Sequence, residues 1–378
     1  MNIKWKHYVN YIGVAAFTIT FGILSLTGAL NNSTIYLLEQ CAIAIMLAVS
    51  LSLVVGFLGE LSLGHAGFMC VGAYLGGKTA VILEPAIGNE FLALIAALIV
   101  GGGVAALCGV IIGLPALRLK GDYLAIVTLA FGEIVRSLFM NSSAEAFGGS
   151  LGLETPRYDK KVLFIIALVL VLGCLAVIQN LLRSKHGRAI TSIRDNEIAA
   201  RATGINVTKY KLAVFTISSF FAGIAGVLYS YSNFTIQSTK FSYNYSIEIL
   251  VMVVLGGMGN ISGSIIAATL ITVLNVKLQT ILTGDLAVLQ DLFYALILIV
   301  LVVYNNAPSL KGFRETHNLK ALVNKLLKPN HDPSHQRDDE AKWDRVPTKI
   351  EMNEILSVDL NVSGSTLTPD KKEGERNE

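Results

Sequence analysis

The residues of this chain that could do chemistry lie inside apolar stretches of sequence. Glu133 and Arg136 stand three positions apart, so on a helix their side chains share one turn and can form an ion pair. His65 follows a glycine-rich segment, where an imidazole could titrate or bind a ligand, although a packed or interfacial histidine is the preferred interpretation. Charged groups are costly in an apolar span, so each is a candidate for function, with a structural ion pair as the preferred interpretation of Glu133 and Arg136.

No set of residues predicts an enzyme. The sequence holds no Ser/His/Asp set, no HExxH and no carboxylate pair suited to a soluble cleft, so we expect no catalytic residue. Residues 72–79 match the phosphate-binding pattern G-x-x-x-x-G-K-[ST], but they lie in an apolar span, where backbone N–H groups must pair internally. We therefore expect no nucleotide, metal or other cofactor bound by this chain. The cysteines have neither paired nor metal-like spacing: Cys41, Cys70, Cys108 and Cys174.

Two glycine-rich stretches match each other at a separation of 200 residues: 54–62 is VVGFLGELS and 254–262 is VLGGMGNIS. Transporters built from internal repeats often break helices at matching positions, and the exposed backbone there can line a substrate path. We therefore predict a substrate pathway at Gly56, Gly59, Ser62, Gly64, His65, Gly256, Gly257, Gly259, Asn260 and Ser262. Close helix packing through small residues is the alternative, and the repeat could be parallel or inverted.

Composition makes the chain a polytopic membrane protein. Hydrophobic residues form 53% of its 378 positions, charged residues form 15%, and the mean hydropathy is +0.59. A soluble domain could not bury so much apolar surface. Apolar runs long enough to span a bilayer predict an all-α fold of about ten transmembrane helices, at 8–30, 35–58, 62–83, 91–117, 122–140, 162–182, 212–232, 241–257, 261–280 and 285–304. The small net charge of +3 argues against nucleic acid as a partner.

The segment 183–211 is the long water-compatible stretch within the apolar region. Its seven Lys and Arg against Asp195 and Glu197 predict a cytoplasmic position, and ten crossings then place both termini in the cytoplasm. Asp195 can cap a short helix and Gly204 can end it in the left-handed conformation. We predict a docking helix for a soluble partner, which uses Arg194, Asp195, Glu197, Ala199, Ala200 and Gly204. An ordinary solvated loop is the alternative.

The predicted domains are a transmembrane domain, 1–304, and a cytoplasmic polar tail, 305–378. The tail carries 12 Lys and Arg and 13 Asp and Glu, with no apolar run long enough to span a bilayer. Near 317–328 its apolar residues recur at helical spacing between lysines, which predicts an amphipathic helix on membrane lipid. A wholly disordered tail is the alternative.

Four stretches resemble the LivM-type permeases of branched-chain amino-acid ABC importers: GFLGELSLGHAGFMCVGAY (56–74), LRLKGDYLAIVTLAFGEIVR (117–136), GRAITSIRDNEIAARATGINVTKYKLAVFTISSFFAGIAGVLYSY (187–231) and LVMVVLGGMGNISGSIIAA (250–268). The resemblance implies an ABC importer permease fold in the bacterial cytoplasmic membrane and transport of leucine, isoleucine or valine. It also implies four partners: a second, LivH-like permease, two cytoplasmic ATPase subunits that bind the ATP, and an extracytoplasmic amino-acid-binding protein. In that family the loop matching 187–211 contains the helix that docks in the ATPase.

Other substrates and mechanisms stay open at this stage. Urea or amide permeases of the same class are the nearest alternative. An ion-coupled secondary carrier is a more distant one, since it would typically hold a buried, unpaired carboxylate, for which we considered Glu39, Glu60 and Glu133.

Overall fold

The computed structural model describes residues 31–117 and 123–281, with a few single positions outside these ranges. Its first half contains α1 (Asn32–Ser52, continued by a π-helical segment, Leu53–Leu58), α2 (His65–Ile87), α3 (Glu90–Ala116), α4 (Tyr123–Met140), α5 (Ala144–Phe147), a 3-10 turn (Gly149–Leu151) and β1 (Leu153–Glu154). Its second half contains α6 (Lys160–Arg183), α7 (Lys185–Asp195), α8 (Glu197–Ala202), α9 (Val207–Ser232), β2 (Thr235–Ile236), a 3-10 turn (Ser238–Phe241), α10 (Tyr243–Gly256) and α11 (Ile261–Ile281).

Within the described residues, seven helices are long and apolar enough to cross a membrane, and each matches a predicted span. The predicted spans 8–30 and 285–304, and the whole tail with its helix near 317–328, lie outside the described residues. The predicted span 241–257 is different, because α10 has 14 residues. At 1.5 Å per residue it is about 21 Å long, short of the roughly 30 Å hydrocarbon core. At its first residue, which is 49% exposed, the backbone N–H of Tyr243 donates to Glu133 Oε1 of α4 at 2.9 Å.

Glycines let α2, α3 and α9 pack against one another at backbone distance. A Cβ added to Gly72 of α2 would lie 2.2 Å from the carbonyl oxygen of Gly223 in α9, and one added to Gly226 would lie 2.0 Å from that of Met69. Small residues at helix crossings are the usual means of close association in a bilayer. The phosphate-loop pattern 72–79 therefore lies inside a helix at this crossing, with its glycines used for packing.

We expect Gly72→Ala to destabilise the protein severely, because its methyl group would overlap backbone atoms of α9 that cannot move independently. The yield of monodisperse protein in detergent and its thermal unfolding temperature would both fall. Gly103→Ala is the matched control, since this glycine is also helical and nothing lies within 4 Å of an added Cβ. Equal behaviour of the two variants would contradict the packing role of Gly72.

The two matching glycine stretches form breaks between helices, as the sequence predicts. The segment 59–64 separates α1 from α2, and 257–260 separates α10 from α11. The matched residues Gly59 and Gly259 both have φ +81°, a left-handed conformation that glycine adopts without strain. A Cβ on Gly56 would lie 2.5 Å from the backbone nitrogen of Gly259, so the two turns touch. Helices α1 and α10 therefore both end where the two glycine stretches meet.

The opposite end of the bundle carries the connections between the other helices. Strands β1 and β2 pair antiparallel, with Leu153 opposite Ile236. Lys78, near the end of α2, donates from Nζ to the backbone oxygen of Glu145 in α5 at 3.0 Å. The end of the bundle that carries β1, β2 and α5 is called the far end. The end that carries α7, α8 and the glycine turns is called the docking end.

Candidate functional site

The predicted docking segment consists of two short helices, α7 and α8, where the sequence analysis expected one. Its N-cap was also assigned to the wrong residue. Asn196 caps α8, since its Oδ1 accepts from the backbone N–H groups of Ile198 and Ala199, each at 3.0 Å, whereas Asp195 is the last residue of α7. Adjacent Asp and Asn are both good caps, so composition cannot choose between them. Gly204 follows α8 with φ +84°, the left-handed conformation predicted for it.

The outer face of α8 is apolar and open. Ile198 is 81% exposed and Ala199 is exposed beside it, whereas Ala200 is only 4% exposed and packs inside the chain. Single exposed apolar residues are common on protein surfaces, so this exposure leaves Ile198 accessible to a partner without identifying one. Of the predicted docking residues, Ala199 is exposed and Ala200 packs inside the chain, and their docking role stays a prediction.

A buried lysine joins α8 to the first glycine turn. Lys211 of α9 is 5% exposed, and its Nζ contacts Glu60 of the turn and Glu197 Oε2 of α8, the latter at 2.9 Å. Glu197 Oε1 also pairs with Arg201 at 2.5 Å. The hydrogen bond from Lys211 lowers the pKa of Glu197, so this carboxylate stays ionised at neutral pH and its pairing is lost only as pH falls through that lowered pKa.

Sequence analysis missed Lys211 and considered Glu60 only as a possible lone carboxylate. The pair is separated by 151 residues in the chain. One signal was available in the sequence. Lys211 lies in the first turns of an apolar helix, and a buried lysine needs an oppositely charged partner.

Arg194 connects the same two regions a second time. Its Nη1 donates to the backbone oxygen of Gly56 at 3.2 Å, while Nε and Nη2 donate to Asp195 Oδ1 at 3.0 and 2.9 Å. The side chain also fills the space beside Gly59, where an added Cβ would lie 2.7 Å from Arg194 Cγ. The structure thus brings together residues that the sequence analysis placed in two separate groups, docking and pathway.

The other predicted pathway residues are held in packed surroundings. His65 is buried, with Nε2 2.8 Å from Ser50 Oγ, and Ser62 is buried with no hydrogen-bond partner for its Oγ among the described residues. A Cβ on Gly64 would lie 2.5 Å from the backbone oxygen of Thr128. In the second turn Gly256 packs on Gly263, Gly257 has φ +90°, Asn260 Oδ1 accepts from Gly263 N at 3.3 Å, and Ser262 is half-buried. Their place on a substrate pathway stays a prediction.

A polar cavity of about 750 Å³ lies towards the far end, between α1, α9, α10 and α11. Its wall includes Tyr36, Gln40, Glu248 and Asn275, and its volume is in the range of small-molecule sites. A second cavity of about 770 Å³, between α2, α3 and α4, is lined mainly by apolar residues. Because Ile134 and Leu138 on its rim are more than half exposed, that cavity faces the lipid. The polar cavity is therefore the candidate ligand site.

Two of the carboxylates considered for an ion-coupled carrier have structural partners. Glu39 of α1 is buried and its Oε2 accepts from Ser232 Oγ at 2.8 Å, while the neighbouring Gln40 donates to the same hydroxyl at 3.4 Å. Glu133 pairs with Arg136 at 2.8 Å, which confirms the predicted ion pair. The sequence analysis missed Glu248, although an acidic residue inside the predicted span 241–257 was itself a signal.

Comparison with known proteins decides the family. Residues 33–304 match the family model described as "Branched-chain amino acid transport system / permease component". The chain belongs to this family. It is a multi-pass membrane protein with an all-α permease fold, and its resemblance to LivM-type permeases is confirmed.

The LivM permease of Salmonella typhimurium LT2 is 38% identical over 64% of this chain and 63% of its own length. LivM of Escherichia coli K12 is 36% identical over 64% of this chain and 63% of its own length. The match thus spans less than two thirds of these relatives. The ribose import permease RbsC of Escherichia coli K12 is 27% identical over 73% of this chain and 86% of its own length. No solved structure matches the chain.

Proposed function

We propose that this chain is the transmembrane permease subunit of an ATP-driven importer and that it moves leucine, isoleucine and valine across the bacterial cytoplasmic membrane. Membership in the permease family and the identity to LivM proteins support the class and the substrate. Urea, amides and ion-coupled transport are less well supported, because the relatives that are 38% and 36% identical are named for branched-chain amino acids.

The observation that carries the mechanism is the double connection between α8 and the first glycine turn. Lys211 joins Glu197 to Glu60, and Arg194 binds the backbone of Gly56, which itself packs on the second turn at Gly259. A displacement of the docking helices therefore acts on both helix breaks through charge-assisted contacts. Rigid elements joined in this way can transmit a partner's motion to the point where helices α1 and α10 end.

The proposal includes the partners that the family resemblance implies. Two cytoplasmic ATPase subunits would bind ATP and seat α8, a second LivH-like permease would complete the pore, and an extracytoplasmic binding protein would deliver the amino acid at the far end. The docking end and both termini are then cytoplasmic. Within this proposal, residues 1–304 form the permease domain with its coupling loop 183–211, and the tail 305–378 rests on membrane lipid through the helix predicted near 317–328.

Co-purification with transport tests the proposal as a whole. The tagged chain, purified from its native membrane, should retain two ATPase chains and a second permease. Proteoliposomes that contain this complex and the loaded binding protein should accumulate leucine on addition of ATP. Accumulation of urea without leucine, or leucine uptake driven by an ion gradient without ATP, would overturn it.

Charge on the open face of α8 should prevent ATPase docking. We expect Ile198→Glu to abolish co-purification of the ATPase subunits while membrane insertion is kept, because a carboxylate would be desolvated in an apolar contact. Leu151→Glu at the far end is the matched control, since Leu151 is 80% exposed and Ile198 is 81% exposed. Normal retention of ATPase by Ile198→Glu would mean that α8 is not the docking element.

A further inference from the structure

A π-helical segment connects two parts of α1 that are held in different ways. The segment covers Leu53–Leu58, between the regular helix Asn32–Ser52 and the first glycine turn. At its end the backbone N–H groups of Gly59 and Glu60 both donate to the carbonyl oxygen of Val54. Because π bonds span five residues where α bonds span four, the segment holds about one residue more than an α-helical turn. Such segments are rare, and they occur frequently at functional sites.

The regular helix before the π segment is fixed to two neighbouring helices. Ser218 Oγ of α9 donates to the backbone oxygen of Ser50 at 2.6 Å. Ser50 Oγ lies 2.8 Å from Nε2 of His65, the first residue of α2. Each residue from 46 to 53 is 0% exposed. Because protein interiors are closely packed, this part of α1 cannot rotate unless the surrounding helices repack.

The residues on the other side of the segment are bound to the docking helices instead. The carbonyl oxygen of Gly56, inside the π segment, accepts from Arg194 Nη1 of α7 at 3.2 Å. Glu60 of the glycine turn shares the ammonium group of Lys211 with Glu197 of α8. The π segment therefore lies between a part of α1 that packing holds in place and a part that is connected to α7 and α8.

Two buried hydroxyl groups beside the segment lack partners in this arrangement. Ser52 precedes the π segment and Ser62 lies in the glycine turn, and neither Oγ has a hydrogen-bond partner among the described residues. A Cβ built on Gly56 would lie 3.2 Å from Ser52 Oγ, so this hydroxyl lies against the backbone of the π segment. An unpaired buried hydroxyl is costly, and a shift of that backbone offers it new partners.

We infer that the π segment is a conformational switch through which the end of α1 follows the docking helices. In its second state Leu53–Leu58 is regular α-helix, and the extra residue has passed into the glycine turn. The residues from Gly56 to Glu60 then rotate about the axis of α1 by about 100°, the angle between successive residues of an α-helix. The packed part of α1 keeps its place. The inference rests on the proposed function, which supplies the ATPase subunits that move α7 and α8.

The first test measures backbone hydrogen exchange in the complete complex by mass spectrometry, without nucleotide and after trapping with ATP and vanadate. We expect the exchange rate of the amides in 53–60 to differ several-fold between the two states, because the π bonds must break and re-form. The amides of 42–50, in the packed part of the same helix, are the internal control and should exchange equally in both states. Equal exchange of 53–60 in both states would overturn the inference.

The second test removes the extra residue. Deletion of Val55 should convert the segment into regular α-helix and leave the residues on both sides in register. We expect this variant to assemble and to hydrolyse ATP, but to import leucine at least about tenfold more slowly, because only one of the two states remains.

Deletion of Val49 is the matched control, since it is also a buried valine of α1 but lies in the packed part. No π turn can absorb the loss there without displacing 50–53, so this variant should not fold. Wild-type import by the Val55 deletion would contradict the switch. If the Val55 deletion folds as poorly as the Val49 deletion, the segment has no spare residue and the inference is wrong.

These results stay distinguishable from a failure of the proposed function. If the wild-type complex imports no leucine while exchange in 53–60 still responds to nucleotide, the proposed substrate is wrong and the switch stands. If it imports leucine while exchange in 53–60 is the same in both states, the function stands and the switch is wrong.

Discussion

Replacement of Lys211 by methionine is expected to uncouple ATP hydrolysis from import. The change removes the cation that holds Glu60 of the first glycine turn to Glu197 of α8, while methionine keeps much of the side-chain volume. Breaking a buried ion pair on one side costs roughly 3 to 5 kcal/mol, because the remaining carboxylates are left without compensation. In proteoliposomes, we expect ATP hydrolysis to continue and the amount of leucine imported per ATP to fall at least about tenfold.

Two companion variants separate coupling from folding. Lys209→Met changes an exposed lysine two positions away and should leave import at the wild-type level. If Lys211→Met does not fold, the double variant Glu60→Gln with Lys211→Met removes both charges, should restore folding, and should still import poorly. Efficient, ATP-coupled import by a folded Lys211→Met complex would show that this lysine plays no part in transmission.

The sequence predicts those parts of this fold that depend on neighbouring residues. Long apolar runs gave all seven spans that the described residues contain, since lipid forces such runs into helices. The glycine turns were also predictable. Matched positions such as Gly59 and Gly259 adopt a left-handed conformation that glycine favours, and the two stretches share a pattern along the chain.

The features that the sequence analysis missed depend on contacts between residues that are far apart in the chain. Glu60 and Lys211 are 151 residues apart, and nothing in a single sequence says that two such residues meet. The short length of α10 was not predicted, because the apolar run 241–257 is long enough for a span whereas the helix itself has 14 residues. Only the packing of α1, α9, α10 and α11 creates the polar cavity, so its lining could not be assembled from sequence periodicity.

The contact between the two glycine turns makes a second large effect predictable. We expect Gly56→Ala to abolish import, because the added methyl group would lie 2.5 Å from the backbone nitrogen of Gly259 and 3.2 Å from Ser52 Oγ. Neither turn can give way without moving the backbone, and overpacking of this kind costs about 1 to 3 kcal/mol. The separation of the turns would also displace the Gly56 carbonyl to which Arg194 donates. Leucine uptake and ATP hydrolysis by the reconstituted complex measure the loss.

The matched control is Gly173→Ala in α6, where an added Cβ meets nothing within 4 Å and the backbone is helical. Alanine favours a helix over glycine by about 1 kcal/mol, so this variant should be as stable as the wild type or more so. Gly56→Ala should retain its ATPase subunits, since Ile198 on the open face of α8 is unchanged. Retained ATPase with lost import would assign the defect to the joined turns. Normal import by Gly56→Ala would show that the turns separate freely, and that coupling reaches the substrate route by another contact.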